Sequence, residues 1–107
     1  MTRDRTSRIR FKDDIRLTKR VTTHPGEMLK HEFLLPLNLS ASKLAGEIGV
    51  PANRLTELVS GRRSMTADTA LRLAERFGTT PEFWMNLQML FDLSKAIVSG
   101  KRTRKVA

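Results

Sequence analysis

The sequence predicts an all-α domain of five helices with a basic segment at each end. Three observations predict it. From residue 23 onward, apolar residues recur at helical spacing, and residues that cap or end helices bound each run. Residues 23–99 contain no convincing strand pattern. A chain of 107 residues is also long enough for one compact core but not for two.

The first helix is predicted to open at residues 23–24, with Pro25 in its first turn, where proline is favourable. It is expected to stop by Leu35, because Pro36 disfavours a helical residue before it. Its inward-facing residues are expected to be Met28, Leu29 and Phe33.

The next two helices are short and clearly bounded. Ser40 is a good N-cap for the second helix, and Gly49 is the glycine expected just past its C-terminus. The third helix is predicted over residues 51–60, with Pro51 near its first position and Gly61 after its end.

Two further helices complete the domain. Thr66 is expected to cap the fourth helix, which ends at Gly78, and its apolar stripe consists of Ala70, Leu73, Ala74 and Phe77. The pair Thr80 and Pro81 is expected to cap and start the fifth helix, which runs to about Val98.

Residues 41–60 have the pattern of a helix-turn-helix unit. Ala45 provides the small side chain where the two helices pass closely, and Gly49 tolerates the positive φ of the turn. The positions that must hold the helices to the core are all apolar, namely Leu44, Ile48, Val50, Leu55 and Leu58. Several independent constraints are therefore met together, which favours a DNA-binding unit over an αα-hairpin without DNA contact.

The first two turns of the third helix are predicted to contact base edges through Ala52, Asn53, Thr56 and Glu57. Asn53 is suited to adenine, and Thr56 or the Ala52 methyl to a thymine methyl. Glu57 has two interpretations, accepting a hydrogen bond from cytosine or repelling phosphate.

Phosphate contacts are predicted around this helix. The start of the second helix offers free N–H groups for a phosphate, and an arginine pair follows the third helix in the chain. An arginine pair in a loop can also be simple solvated surface. The predicted phosphate-contacting residues are Ser40, Ser42, Lys43, Arg54, Arg62, Arg63 and Ser64.

Three segments together resemble the HigA-type antitoxins of the Xre/lambda-repressor-like helix-turn-helix class: HPGEMLKHEFL (24–34), LSASKLAGEIGV (39–50) and LVSGRRSMTADTALRLAERFGTTPEFWMNLQMLFDL (58–93). The resemblance covers about residues 23–97. It implies a lambda-repressor-like fold and a dimeric repressor that binds the promoter of its own operon. It also implies neutralisation of a HigB-type toxin, an mRNA-cleaving ribonuclease. Members often start the recognition helix with a polar residue, whereas this chain has Pro51 and Ala52.

The fifth helix is apolar around more of its circumference than one small domain can cover. One stripe is expected to face the core: Phe83, Trp84, Leu87, Leu90, Phe91, Ser94 and Ile97. A second face carries Met85, Met89 and Leu93 and is predicted to form a homodimer, which requires a roughly palindromic operator. Toxin contact at this face and deeper wrapping by the N-terminal segment are the alternatives.

The net charge of +9 lies entirely in the two ends. Residues 1–22 carry +5 and residues 100–107 carry +4, while residues 23–99 balance to zero. We interpret residues 1–22 as a basic arm and 100–107 as a basic tail, either binding a polyanion or keeping the protein soluble. Within the arm, apolar residues alternate on either side of Asp13 and Asp14, a pattern that suits two short strands and a tight turn; they are Ile9, Phe11, Ile15 and Leu17.

The only candidate for chemistry is His24, Glu27 and His31 on one face of the first helix, without metal-binding spacing or a further ligand. The chain has no tyrosine and only two histidines, which disfavours a ribonuclease. We therefore expect no enzyme activity, no cofactor and no small-molecule substrate. Without cysteine, secretory signal or membrane-spanning run, the expected location is the bacterial cytoplasm, at the nucleoid. A free-standing Xre-type regulator without a toxin partner is the alternative function.

Overall fold

The computed structural model describes residues 22–100, which form five helices and no strand. The first helix, α1, has three successive segments: α-helical Pro25–Leu29, π-helical Lys30–Leu34 and α-helical Leu35–Leu37. The other helices are α2 (Ala41–Ile48), α3 (Ala52–Val59), α4 (Ala67–Phe77) and α5 (Pro81–Ser99). The prediction of an all-α, five-helix fold is confirmed. The strands predicted in the arm, and the tail beyond residue 100, lie outside the described residues.

The predicted caps are in place at the helix starts. Ser40 Oγ accepts a hydrogen bond from the Lys43 backbone N–H at 3.0 Å, and Thr80 Oγ1 accepts one from Phe83 at 3.1 Å. Thr66 caps α4 in the same way. At α1 the cap is His24, whose Nδ1 accepts from the Gly26 N–H at 2.9 Å. Each cap satisfies one of the N–H groups that a helix start leaves unpaired.

The predicted stop of α1 at Leu35 is wrong. Leu35 is helical, with φ −62° and ψ −48°, and the helix continues through Pro36 to Leu37. The π-helical segment explains this, because the Leu35 N–H bonds to the carbonyl of Lys30, five residues back. A proline ring normally collides with the carbonyl four residues before it, and the wider π-turn relieves that collision. The helix ends instead at Asn38, which has the left-handed φ of 55°.

Pro51 is the N-cap of α3 and not one of its first helical residues, which corrects the predicted start by one residue. Its φ of −62° is the value that the ring imposes, but its ψ of 146° is extended. The helix begins at Ala52, and the Pro51 carbonyl accepts a hydrogen bond from the Arg54 N–H at 3.0 Å. No side chain caps α3.

The chain divides into two compact units, and the larger one consists of Thr23–Met89. Its core is a continuous apolar cluster around Trp84, which has no exposed surface. The Trp84 ring packs against Phe33 and Phe83, with centroids 5.3 Å and 4.9 Å away, and its Nε1–H donates to Thr79 Oγ1 at 2.8 Å. The other buried members are Leu29, Leu34, Leu44, Ala45, Leu55, Leu58, Met65, Ala70, Leu73 and Ala74.

Thr22 and residues 90–100 belong to the second unit. Ser94 is fully buried there. Its Oγ accepts a hydrogen bond from the Thr22 N–H and donates one to the Phe91 carbonyl, both at 2.9 Å. None of the helices in the described part of the chain has the length and apolar character to cross a membrane.

Gln88 is a buried polar residue within the larger unit. Its Oε1 accepts a hydrogen bond of 2.7 Å from the backbone N–H of Met65, which follows the loop after α3. Only 6% of Gln88 is exposed, so water cannot easily replace this acceptor. Gln88 therefore fixes the end of that loop to α5.

Replacing Gln88 with leucine is expected to lower the free energy of unfolding by about 1–3 kcal/mol, because the Met65 N–H stays buried without its acceptor. Urea unfolding at fixed protein concentration measures the change. Asn86→Leu on the same helix is the matched control, since Asn86 is exposed and should change stability by less than about 0.5 kcal/mol. Equal effects of the two substitutions would contradict the role of Gln88.

Candidate nucleic-acid interface

Helices α2 and α3 and the turn between them have the arrangement that the sequence predicts. Ala45, at the close passage, is 1% exposed, and Gly49 has a φ of 75°. The Ala45 carbonyl accepts hydrogen bonds from the N–H groups of Gly49 and Val50, which closes the turn. Leu55 and Leu58 are buried on the inner side of α3. The turn is thus held by the backbone and by the core together.

The outer face of α3 consists of Ala52, Asn53, Thr56 and Glu57. The first three are exposed, and the Glu57 side chain is 34% exposed. These are the four predicted base-contacting residues, and the structure brings them to one side of one helix. Asn53 and Thr56 present polar groups and Ala52 a methyl, which are the groups that read base edges in a major groove.

Arg54, a predicted phosphate contact, is held by an acid of the next helix. Its Nη1 lies 2.6 Å from Asp68 Oδ2, and Arg72 Nε lies 3.1 Å from the same oxygen. The Arg54 and Arg72 guanidinium groups hold the pKa of Asp68 below its usual range, so the carboxylate is ionised at neutral pH. Arg72 Nη1 also donates to the Ile48 carbonyl at 2.6 Å, at the end of α2. Asp68 and Arg72 thereby connect both helices of the unit to α4.

Arg62, Arg63 and Ser64 lie exposed in the loop after α3, where the sequence predicts phosphate contacts. The loop turns back on Glu57, whose backbone carbonyl accepts from the Arg62 N–H at 2.9 Å. The Glu57 side chain binds Arg63, with Oε1 2.7 Å from Nη2 and 3.2 Å from Nε. The Arg62 side chain forms no ion pair with any described residue.

At the start of α2, the predicted phosphate contacts differ in availability. Ser42 and Lys43 are exposed. Ser40 is exposed too, but its Oγ already accepts from the Lys43 N–H. The Lys43 ammonium is therefore the positive charge that this end of α2 presents to solvent.

The three residues considered for chemistry, His24, Glu27 and His31, have different structural roles. His24 is 8% exposed and caps α1, whereas Glu27 and His31 form an exposed pair at 2.9 Å. Within residues 22–100, no three histidine or acidic side chains come together as metal ligands would.

The predicted second face of α5 is open at two of its three residues. Met89 and Leu93 are 49% and 51% exposed, whereas Met85 is partly buried against the core. The residues that sequence reasoning missed are Asp68, Arg72 and Gln88. The four-residue spacing of Asp68 and Arg72 on α4 is a signal for their own pairing, but not for the link to Arg54.

Comparison with known proteins places these features in a family. Residues 31–84 match the helix-turn-helix family. Antitoxin HigA-1 of Vibrio cholerae serotype O1 is 44% identical over 79 residues, which are 74% of each chain. Among solved structures, an addiction module antidote protein of a HigA family from Coxiella burnetii is 50% identical, with a TM-score of 0.73 over 79% of this chain and 94% of that one.

A second solved structure is the Pseudomonas aeruginosa antitoxin HigA with the higBA promoter. It is 36% identical to this chain and has a TM-score of 0.75, over 81% of this chain and 94% of that one. The same arrangement of helices therefore occurs in a protein that was solved together with promoter DNA.

Proposed function

Because the chain belongs to the helix-turn-helix family of HigA-type antitoxins, we propose that it binds the operator of its own operon, represses that operon and neutralises a HigB-type mRNA-cleaving toxin. The observation that carries the DNA-binding part is the outer face of α3, where Asn53 and Thr56 stand exposed on a helix whose inner side is buried. The recognition helix of such a unit lies in the major groove.

The positive charges around this face support the same proposal. Lys43 at the start of α2 and Arg62 after α3 are exposed, and both lie at positions from which a helix-turn-helix unit contacts phosphates. Residues 23–99 carry no net charge, so the affinity rests on local contacts and on the basic ends. Ser40, Ser42, Arg54, Arg63 and Ser64 complete the proposed phosphate-contacting set.

Footprinting on the region upstream of the gene tests the proposal, with the full chain and with residues 1–22 removed. We expect a protected, roughly palindromic site whose half-sites lie about one helical turn apart. If the arm adds electrostatic affinity, the chain without residues 1–22 should bind the same site more weakly. Protection that does not differ between this region and unrelated DNA would reject the proposal.

Single substitutions separate base contacts from phosphate contacts. Asn53→Ala is expected to cost about 1–3 kcal/mol of discrimination at one base position, because a bidentate contact is lost. Arg62→Ala is expected to weaken binding to all sequences about equally and to make the salt dependence shallower by about one phosphate. Gel shifts across a series of operator variants and salt concentrations measure both effects. If neither substitution changes binding, the assigned face is wrong.

The toxin part of the proposal rests on family membership. The neutralised toxin is expected to be a small basic ribonuclease encoded beside this gene. Co-expression should yield a complex in which mRNA cleavage is lost. If the neighbouring protein neither binds this chain nor cleaves RNA, the chain is a DNA-binding regulator without a toxin partner. In either case the proposed location is the cytoplasm, at the nucleoid.

A further inference from the structure

We propose that Glu57 is a specificity-determining residue that holds Arg63 away from phosphate until a matching base releases it. This inference rests on the proposed function and assigns a coupled role to two of its residues. In the free protein the Glu57 carboxylate forms an ion pair with the Arg63 guanidinium. On the correct sequence Glu57 accepts a hydrogen bond from a base amino group, and Arg63 is then free to bind a phosphate.

The geometry of the pair carries the first step. Two donors of Arg63, Nη2 and Nε, converge on a single oxygen of Glu57, at 2.7 and 3.2 Å. The other oxygen, Oε2, has no hydrogen-bond partner among the described residues. Glu57 lies on the outer face of α3 beside Asn53 and Thr56, which is the face that would meet the bases. A carboxylate there can accept from the amino group of cytosine.

The energetics allow an exchange of partners. The side chains of Glu57 and Arg63 are 34% and 39% exposed, and an ion pair of this exposure stabilises a protein only weakly, because solvent screens it. A phosphate offers Arg63 a charge-assisted bond together with counterion release. The exchange has a cost only for Glu57, which is left as a negative charge beside the DNA backbone unless a base donor satisfies it. Binding to a random duplex is therefore weakened by the unsatisfied Glu57 charge, whereas binding to the matching duplex is not.

Arg62 provides the matched control within the same loop. It is the same residue type, adjacent in sequence and exposed, but it has no ion-pair partner among the described residues. Its contribution to phosphate binding should therefore be independent of Glu57. Comparison of the two arginines separates a specific restraint on Arg63 from a general repulsion by the Glu57 charge.

The test is fluorescence anisotropy with the full chain, on a duplex from upstream of its gene and on a random-sequence duplex, across a range of salt concentrations. E57Q is expected to bind the random duplex about fivefold more tightly at 0.15 M salt, with a slope of log affinity against log salt about 0.9 steeper, which corresponds to one extra phosphate. The gain should be absent when E57Q is compared with wild type in an R63A background, and retained in an R62A background. The preference for upstream over random duplex should fall in E57Q.

Three results would overturn the inference. Unchanged random-duplex binding in E57Q would show that Glu57 does not restrain Arg63. A gain that persists in the R63A background would show simple charge repulsion. A loss of upstream binding alone, with random binding unchanged, would show base contact without coupling. Failure of the proposed function is distinguishable, since the wild-type chain would then fail to prefer the upstream duplex. Thermal unfolding of each variant verifies the fold, and Glu57→Ala repeats the test with the acceptor removed.

Discussion

Gly26→Ala is expected to destabilise the domain by about 3 kcal/mol or more, at or beyond the upper end of typical overpacking costs. A methyl group at Gly26 would lie 1.8 Å from the carbonyl oxygen of Leu58 and 2.7 Å from its carbonyl carbon. Both are backbone atoms of α3, so no side-chain rotation can relieve the contact. The first turn of α1 would have to move away from the recognition helix, and the cap formed by His24 would move with it.

Thermal unfolding measures this effect, and a drop of roughly 12 °C or more is expected for a domain of this size. Gly46→Ala is the matched control. Gly46 lies inside α2 with no atom within 4 Å of its added methyl group, so alanine there should stabilise the protein by about 0.5–1 kcal/mol. The two identical substitutions should therefore act in opposite directions. An unfolding temperature of Gly26→Ala at or above that of the wild type would disprove the close approach of α1 to α3.

The features that sequence reasoning predicted correctly depend on neighbouring residues in the chain. Ser40, Thr66 and Thr80 cap helices because each hydroxyl reaches an N–H three residues later, and spacing alone reveals that. The prediction for Gly49 is also correct, because the positive φ that the turn needs is a local property of the chain. Pro36 is the exception. The rule that a helix stops before a proline places it outside the helix, but the π-helical turn before it lets the helix continue.

What sequence reasoning missed depends on contacts between segments. Gly26 lies in the first turn of α1 and does not have a positive φ, so only the carbonyl of Leu58, far along the chain, explains why it has no side chain. Gln88 on the apolar fifth helix is buried because Met65 lies opposite it. Periodicity shows which face of a helix is buried, but it does not show which backbone group lies opposite.

The same distinction applies to the candidate interface. The 3.6-residue period was enough to place Asn53, Thr56 and Glu57 on one face of α3. The partners of the arginines could not be predicted, because they depend on the path of the loop and on the position of α4. Arg54 and Arg63, which by sequence alone look equivalent to Arg62, are both paired with acids. The charge available to DNA is therefore smaller than the count of basic residues indicates.

The open face of α5 leads to the second large effect. Met89 and Leu93 both lie on α5, and 49% and 51% of these two apolar residues is exposed. We propose that this face joins two copies of the chain. Two recognition helices on one duplex bind far more tightly than one, because the second contact becomes intramolecular.

Leu93→Glu is therefore expected to convert the dimer to a monomer and to weaken operator binding by about 100-fold or more, within the range that linked binding sites gain. A buried, unpaired carboxylate at the centre of an apolar contact is strongly unfavourable, whereas on a free monomer it is solvated. Leu71→Glu is the matched control, since Leu71 on α4 is 57% exposed against 51% for Leu93 but lies outside the proposed face. Analytical ultracentrifugation gives the oligomeric state, and anisotropy gives the operator affinity. A Leu93→Glu protein that stays dimeric would remove this face as the interface. A monomer with undiminished affinity would instead show that one recognition helix is sufficient.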